Sequence, residues 1–448
     1  MSSLSASTPS SSSSLASPPP WILRIRTSSS YSSPTRLSNS PPHRRPQLRG
    51  CCRVVCSGAG GGGGSSLSGP QFAAKDLKFV LHDALDSGGV DTTFAREGRQ
   101  GFLSQIEKMS DIERETSISI NRFVDLGKAA LYIAAEDDAL ISHSSVPLPV
   151  DAFRDRLDDL SMGYFSSYNS SLRSSPESFL DSLERYLYIK KGFRRSNTRN
   201  PVEPRALYLH SVLTHRSGSA AMLSLIYSEI LKMLRLWGLL EFDCEIFFPH
   251  DVHGLPKGYH KQKSKESDQP HIMTSQILLE EILRTLKEAF WPFQGDQMKS
   301  LFLKAADAAS CVDRSNTIEE SGFQLASAKA AHHRLHRGVW TSVHFGDMRR
   351  ALSACERLIS LKSDSEELRD YSVILYHCGF YPQSLQYLKL YQNAKRPSAK
   401  RKSPSKLSIL EEDAVEKLMI RLDLISMEEG WSKPSHFRNF LGDNSEPW

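Results

Sequence analysis

The strongest pattern along the chain is an almost continuous apolar run from Ala220 to Trp237, free of Pro and Gly. Leu223, Ile226, Ile230 and Leu234 recur at the three- and four-residue steps of one helical face. Met222, Leu225 and Met233 widen that face, which predicts a core helix and not a surface one. Ser219 stands where an N-cap belongs, and Gly238 supplies the stop. The period then changes. Phe242, Cys244, Ile246 and Phe248 alternate with Asp243, Glu245 and Phe247, predicting a half-buried strand that ends at Pro249.

Helical spacing dominates the rest. Ile120–Ala135 carries Phe123, Leu126, Leu131 and Ile133, with Asn121 near its start. Pro147 and Pro149 break the chain, and Asp151 opens a helix through Phe153, Leu157, Leu160 and Met162. Further helices are predicted over Phe179–Lys191, Ile277–Phe290 and Met298–Ala309, and over Glu411–Met427 through Val415, Leu418, Leu422 and Ile425. His250–His271, with Gly254, Pro256, Gly258 and Pro270, reads as a surface loop, as does Asp313–Gly322.

An internal repeat follows. Gly346–Leu352 and Gly379–Leu385 align 33 positions apart, near the roughly 34-residue tetratricopeptide period, whose Gly turns one helix into the next. Ala351 and Ser384 hold the small-residue slot where paired helices cross.

Composition changes this picture mainly at the N-terminus. The chain has 448 residues, 39% hydrophobic and 24% charged, ordinary values for a soluble globular protein. No charge-free apolar stretch has the ~18 residues that a membrane span needs. The first 75 residues are crowded with Ser and Pro, carry seven Arg and hold no acid. That is the composition of an organelle transit peptide, its Ser/Pro richness favours the plastid, and Val54-Val55-Cys56 before Ser57 resembles a chloroplast processing site. The expected location is therefore the chloroplast stroma. Cleavage there removes seven of 56 Lys+Arg and leaves 49 against 51 Asp+Glu, turning a formal +5 into −2. The basic balance belongs to the leader, so nucleic-acid binding is not expected. The same cut removes Cys51, Cys52 and Cys56; Cys244, Cys311, Cys355 and Cys378 lack any CxxC spacing.

Several motifs resemble the SirB-type transglutaminase-like proteins. Glu203-Pro204-Arg205, Tyr208-Leu209, Val212-Leu213 and Arg216-Ser217-Gly218 follow that family's frame before the core helix, and Phe248-Pro249-His250 keeps the outline of its strand end. Ala129–Glu136, Leu157-Asp158-Asp159-Leu160, Gly192-Phe193-Arg194 and Glu367-Leu368-Arg369-Asp370 are similar to further family segments. The departures are Ala206-Leu207 in place of Asn-Ser, Ala220 in place of Pro, and a missing Gly before His250. The resemblance implies an α+β, mostly helical architecture. Its expected parts are a transit peptide (1–56), a flexible linker (57–75), a transglutaminase-like domain with a helical N-terminal extension (76–310) and a connector (311–331). Tetratricopeptide-like repeats (332–394), a basic insert (395–407), a capping helix (408–427) and a tail (428–448) complete the chain.

A transglutaminase-like fold places a Cys at the start of the core helix, activated by the helix N-terminus and by a His on a neighbouring strand. Here Ser217, Gly218, Ser219, Ala220 and Ala221 stand there, and none is Cys. A hydroxyl is far less acidic than a thiol and needs a base. Ser219 with His250 is the one catalytic pair the sequence offers, and Ser217 or Ser219 as a plain N-cap is the competing role. His250, His253, His260 and His271 match no common metal-ligand spacing, and no cofactor motif appears. Lys395–Lys402 reads as a solvated loop. Two functions remain: a non-catalytic interaction protein that binds a protein partner through its C-terminal repeats, or an acyl-transfer hydrolase or peptidase-like enzyme using Ser219 and His250.

Overall fold

The structure, a computed structural model, describes residues 80–109, 111, 114, 124–142, 146–168, 175–196, 204–249, 254–263, 271–293, 300–311, 335, 347–362, 364–395 and 406–431. All of them belong to one packed unit, residues 69–448. The expected leader and linker, the Asp313–Gly322 loop, His250, Gly346 and most of the basic insert lie outside the described residues.

Helices α1 (Val80–Ser87) and α2 (Thr93–Lys108) lead into α3 (Leu126–Ser142), against which α2 packs closely. Asp125 opens α3 by accepting the Lys128 N–H at 2.8 Å, an N-cap bond. The helix runs past Ala135, where its apolar pattern ends. Glu136 and Asp137, in this continuation, are buried. Helix α4 (Val150–Tyr168) begins where Asp151 predicts. Helix α5 (Pro176–Glu184), with Pro176 in its first turn and Ser175 as N-cap, continues into a π-helical turn, Arg185–Lys190.

A 3₁₀ turn at Pro204–Leu207 and helix α6 (Leu209–His215) precede α7 (Ala220–Leu236), the predicted core helix. Short strands β1 (Arg194–Arg195) and β2 (Ser217–Gly218) pair in parallel beside its start. Helix α7 is buried along nearly its whole length and packs on α3, α4 and α8 (Ser275–Phe290). It ends in a Schellman arrangement: Gly238, at φ 71°, donates to Arg235 O, and Leu239 donates to Leu234 O.

The predicted strand forms as β3 (Cys244–Phe247), with Cys244 and Ile246 turned inward. The loop expected over His250–His271 is corrected in part. Lys257–His260 forms β4, antiparallel to β3, with Ile246 opposite Gly258. The turn residues Gly254, Pro256 and Gly258 hide this strand in the sequence, yet Gly258 is there for packing. A Cβ at that position would lie 2.4 Å from Tyr227 Oη and 2.5 Å from a Leu180 methyl.

Helix α9 (Leu301–Cys311) precedes α10 (Met348–Leu361), α11 (Glu366–His377), α12 (Tyr381–Lys395) and α13 (Lys406–Trp431). Asp347 caps α10 through the Arg349 and Arg350 N–H groups. Gly379, at φ 81°, lies in the tight turn from α11 to α12. Connections this short join neighbouring antiparallel helices. Helix α10 is a wall shared by two hydrophobic cores. Ala351, Ala354, Leu358 and Leu361 face the core built around α7. Met348, Leu352 and Cys355 face a second core with α1, α9, α11, α12 and α13.

Candidate functional site

At the start of α7, Ser219 adopts the extended backbone of an N-cap, and its Oγ accepts the Met222 N–H at 3.2 Å. Its own N–H donates to Ala206 O at 2.9 Å, fixing the 3₁₀ turn to the helix start. Ala220, Ala221 and Met222, which follow, are buried. The second member of the sequence-derived pair, His250, lies outside the described residues. Ser217 sits in β2, which pairs with β1.

The described cysteines, Cys244, Cys355 and Cys378, are all buried. Burial pushes the Cys244 thiol up to about 12 and that of Cys355 well above the ordinary thiol value. Such thiols carry little thiolate and are inert as nucleophiles. His260 meets the Phe242 ring edge-on at 5.5 Å, and His271 stacks on Phe247 at 4.7 Å. Among the described residues no group of His, Cys, Asp and Glu is arranged to hold a metal ion.

Chemistry that the sequence did not reveal gathers around Glu136. Its carboxylate accepts Arg99 Nη2 at 2.6 Å and Nε at 2.9 Å, Arg357 Nε at 3.1 Å and Ser353 Oγ at 2.7 Å. Arg99 also reaches Glu356 at 2.7 Å, and Glu356 accepts Tyr371 Oη at 2.8 Å and the Leu81 N–H at 3.0 Å. Arg357 donates to Asp137, whose other oxygen accepts Tyr208 Oη at 2.8 Å. The hub ties α1, α2, α3, α10 and α11 together.

Two guanidiniums here serve three carboxyls, and the imbalance falls on Asp137. Burial would raise the Glu136 carboxyl, but Arg357 and Arg99 outweigh it and hold it well below the usual range. At Asp137 burial wins over Arg357, with the Glu136 charge adding to it, and the carboxyl is pushed up. A second ion-pair group repeats the device. Buried Lys287 on α8 donates to Glu367 at 2.6 Å and Asp370 at 3.0 Å, and Arg369 reaches Glu411 on α13 at 3.0 Å.

A cavity of about 190 Å³ opens beside the hub. Asp137, Asp138, Arg205, Tyr208, His210 and Arg350 supply its polar lining, and Ala134 and Ile141 contribute apolar wall. Arg350 stacks on Phe290 with its guanidinium carbon 4.4 Å from the ring centre, and its Nε lies 3.0 Å from Asp347. Burial lowers the His210 ring pKa against the opposing Asp138 charge, and its buried Nδ1 has no partner among the described residues. Arg205 and Tyr208 belong to the motif frame quoted above; the cavity they share with α3 was invisible in it because Asp137 and Asp138 lie far away in sequence.

Residues 151–237 match the family model described as the transglutaminase-like superfamily. The match runs from the start of α4 to the end of α7, narrower than the 76–310 domain expected from the motif resemblance. Comparison with curated proteins and with solved structures returned no match.

Proposed function

We propose that this chain is a non-catalytic interaction protein of the chloroplast stroma, built on a transglutaminase-like domain and docking a protein partner through its C-terminal helices. The observation that carries this reading is the start of α7. The Ser219 hydroxyl, at the position where such a fold places its nucleophile, accepts the N–H of the first helical turn, the described cysteines are buried, and burial raises the Cys244 and Cys355 thiols.

The docking surface in this reading is α13. Leu407, Leu410, Ile420 and Leu424 on it are exposed, and they line, with Leu303 and Ala306 of α9, a groove of about 680 Å³. Contiguous apolar surface of this kind marks interaction sites on soluble proteins. The turn at Gly379 and the 33-residue repeat spacing favour a tetratricopeptide-like construction for α10–α12. The Ser-, Pro- and Arg-rich, acid-free N-terminus supports plastid targeting.

The test uses the full chain as bait in stromal extract, beside a Leu410→Glu/Leu424→Glu variant. A protein retained by the first and lost by the second is expected. In parallel, acyl ester and amide substrates are offered to wild type, Ser219→Ala and His250→Ala. Hydrolysis that both substitutions abolish would overturn the scaffold reading and establish the Ser219–His250 hydrolase in its place. Cytosolic fluorescence of a reporter fused to residues 1–75 would overturn the compartment.

A further inference from the structure

We propose that the cavity between α3, the 3₁₀ turn and α6 is a binding site for a free amino acid, a site that goes beyond the scaffold reading and does not depend on it. Its size sets the ligand class. About 190 Å³ is below the roughly 300–1,000 Å³ of pockets for drug-sized ligands and suits a small metabolite.

Its charges set the chemistry. Most charged groups around the cavity are committed to the fold: Asp137 to Arg357 and Tyr208, and Arg350 to Asp347 and the Phe290 face. Arg205 and Asp138 differ. Both line the cavity, and neither has an ion pair or a hydrogen bond to any other described residue. The Arg205 guanidinium is a fork suited to a carboxylate, and the Asp138 carboxylate is an acceptor for an ammonium group. A plain anion would meet repulsion from Asp138, and a plain cation would meet it from Arg205 and Arg350. A molecule carrying both charges satisfies both groups at once. The Nδ1 of His210, without a partner among the described residues, offers one further polar contact, and Ala134 and Ile141 give the ligand side chain an apolar wall.

Isothermal calorimetry on the full chain tests this with the twenty standard L-amino acids, each titrated alone. At least one is expected to bind in the micromolar to millimolar range. The N-acetyl and the carboxamide derivatives of that amino acid, each lacking one charge, are expected to bind about tenfold or more weakly, the loss of one charge-assisted contact. Arg205→Gln and Asp138→Asn are expected to weaken binding similarly while the melting temperature of the unliganded chain stays unchanged. No binding by any amino acid up to about 10 mM, a limit beyond which affinity is under 3 kcal/mol, would overturn the site. Equal affinity for the capped derivatives would overturn it also, as would full affinity in either variant. The capped-ligand comparison uses wild-type protein, so a variant that fails to fold leaves the test standing. Partner capture by α13 is read separately, so the failure of one proposal is distinguishable from failure of the other.

Discussion

Glu136→Gln is the substitution on which the structural account stands most exposed. The side chain is fully buried and accepts charged donors from two different arginines, Arg99 and Arg357. Gln keeps the volume and one acceptor oxygen, but it removes the charge and turns an NH₂ group toward guanidinium donors. Two cations are then left with Glu356 and Asp137 alone. Breaking a buried pair by removing one partner costs about 3–5 kcal/mol, because an uncompensated charge stays buried. That is a large share of the roughly 5–15 kcal/mol by which domains are stable.

The assay is equilibrium urea unfolding of the full chain at neutral pH, with Asp83→Asn as control. Asp83 pairs with Arg96 at 2.7 Å, but its side chain is 70% exposed, and such pairs are worth at most about 1 kcal/mol. The Glu136→Gln/Arg357→Met double variant should lose less than the sum of the single losses, since neighbours in one network are not additive. The pH dependence follows from the depressed Glu136 carboxyl. Its contribution is fully present above the unfolded carboxylate value of about 4.3 and is lost as pH falls through the lower folded value. Wild type should therefore steepen in acid where Glu136→Gln does not. A Glu136→Gln loss no larger than that of Asp83→Asn would refute the hub.

Three further outcomes are expected. Ser219→Ala should lose roughly 0.5–2 kcal/mol in urea unfolding through the lost cap, while Ser219→Asp, which accepts the same N–H and suits the positive helix end, should hold stability near wild type. Gly258→Ala should lose about 1–3 kcal/mol by overpacking, because the added methyl meets Tyr227 and Leu180; unchanged near-UV circular dichroism and unfolding midpoint would contradict the close approach. His377 is partly buried, with Nε2 2.8 Å from Ala305 O, and desolvation of the ring lowers its pKa from 6.5 to about 4. The unfolded chain takes up that proton first, so stability should fall as pH drops from about 6.5 toward 4, a slope that His377→Gln should flatten in a pH series of melting curves.

What the sequence reveals and conceals divides by where each residue's partner lies. The α7 face, its cap at Ser219 and its stop at Gly238 are local signals, because helix period and capping act within a few residues. The β3 alternation is local too. Strand β4 escapes because Gly258, placed by the Tyr227 and Leu180 contacts across the fold, looks in sequence like a turn residue. The hub escapes for a stronger reason. Arg99 and Glu356 are 257 positions apart, and the run Glu136-Asp137-Asp138 carries no mark to distinguish a buried carboxylate from a solvated one. The cavity is hidden likewise, since Asp138 and Arg205 meet only once α3 packs beside α6.

The motif segments nonetheless end on the residues that bind distant parts together. Ala129–Glu136 closes with the carboxylate that both arginines share, and Glu367–Asp370 holds both acceptors of Lys287. The first ties α2 and α3 to α10, and the second ties α8 to α11. Buried pairs of this kind are weak sources of net stability, but costly to leave half-made. They penalise any arrangement in which α10 and α11 sit elsewhere. That physical role explains why the described part of residues 332–394, set apart in sequence as a separate repeat array, shares both hydrophobic cores with the segment before it. Helix α13, with its exposed apolar residues, is thereby attached to the core around α7 through packed helices and ion pairs.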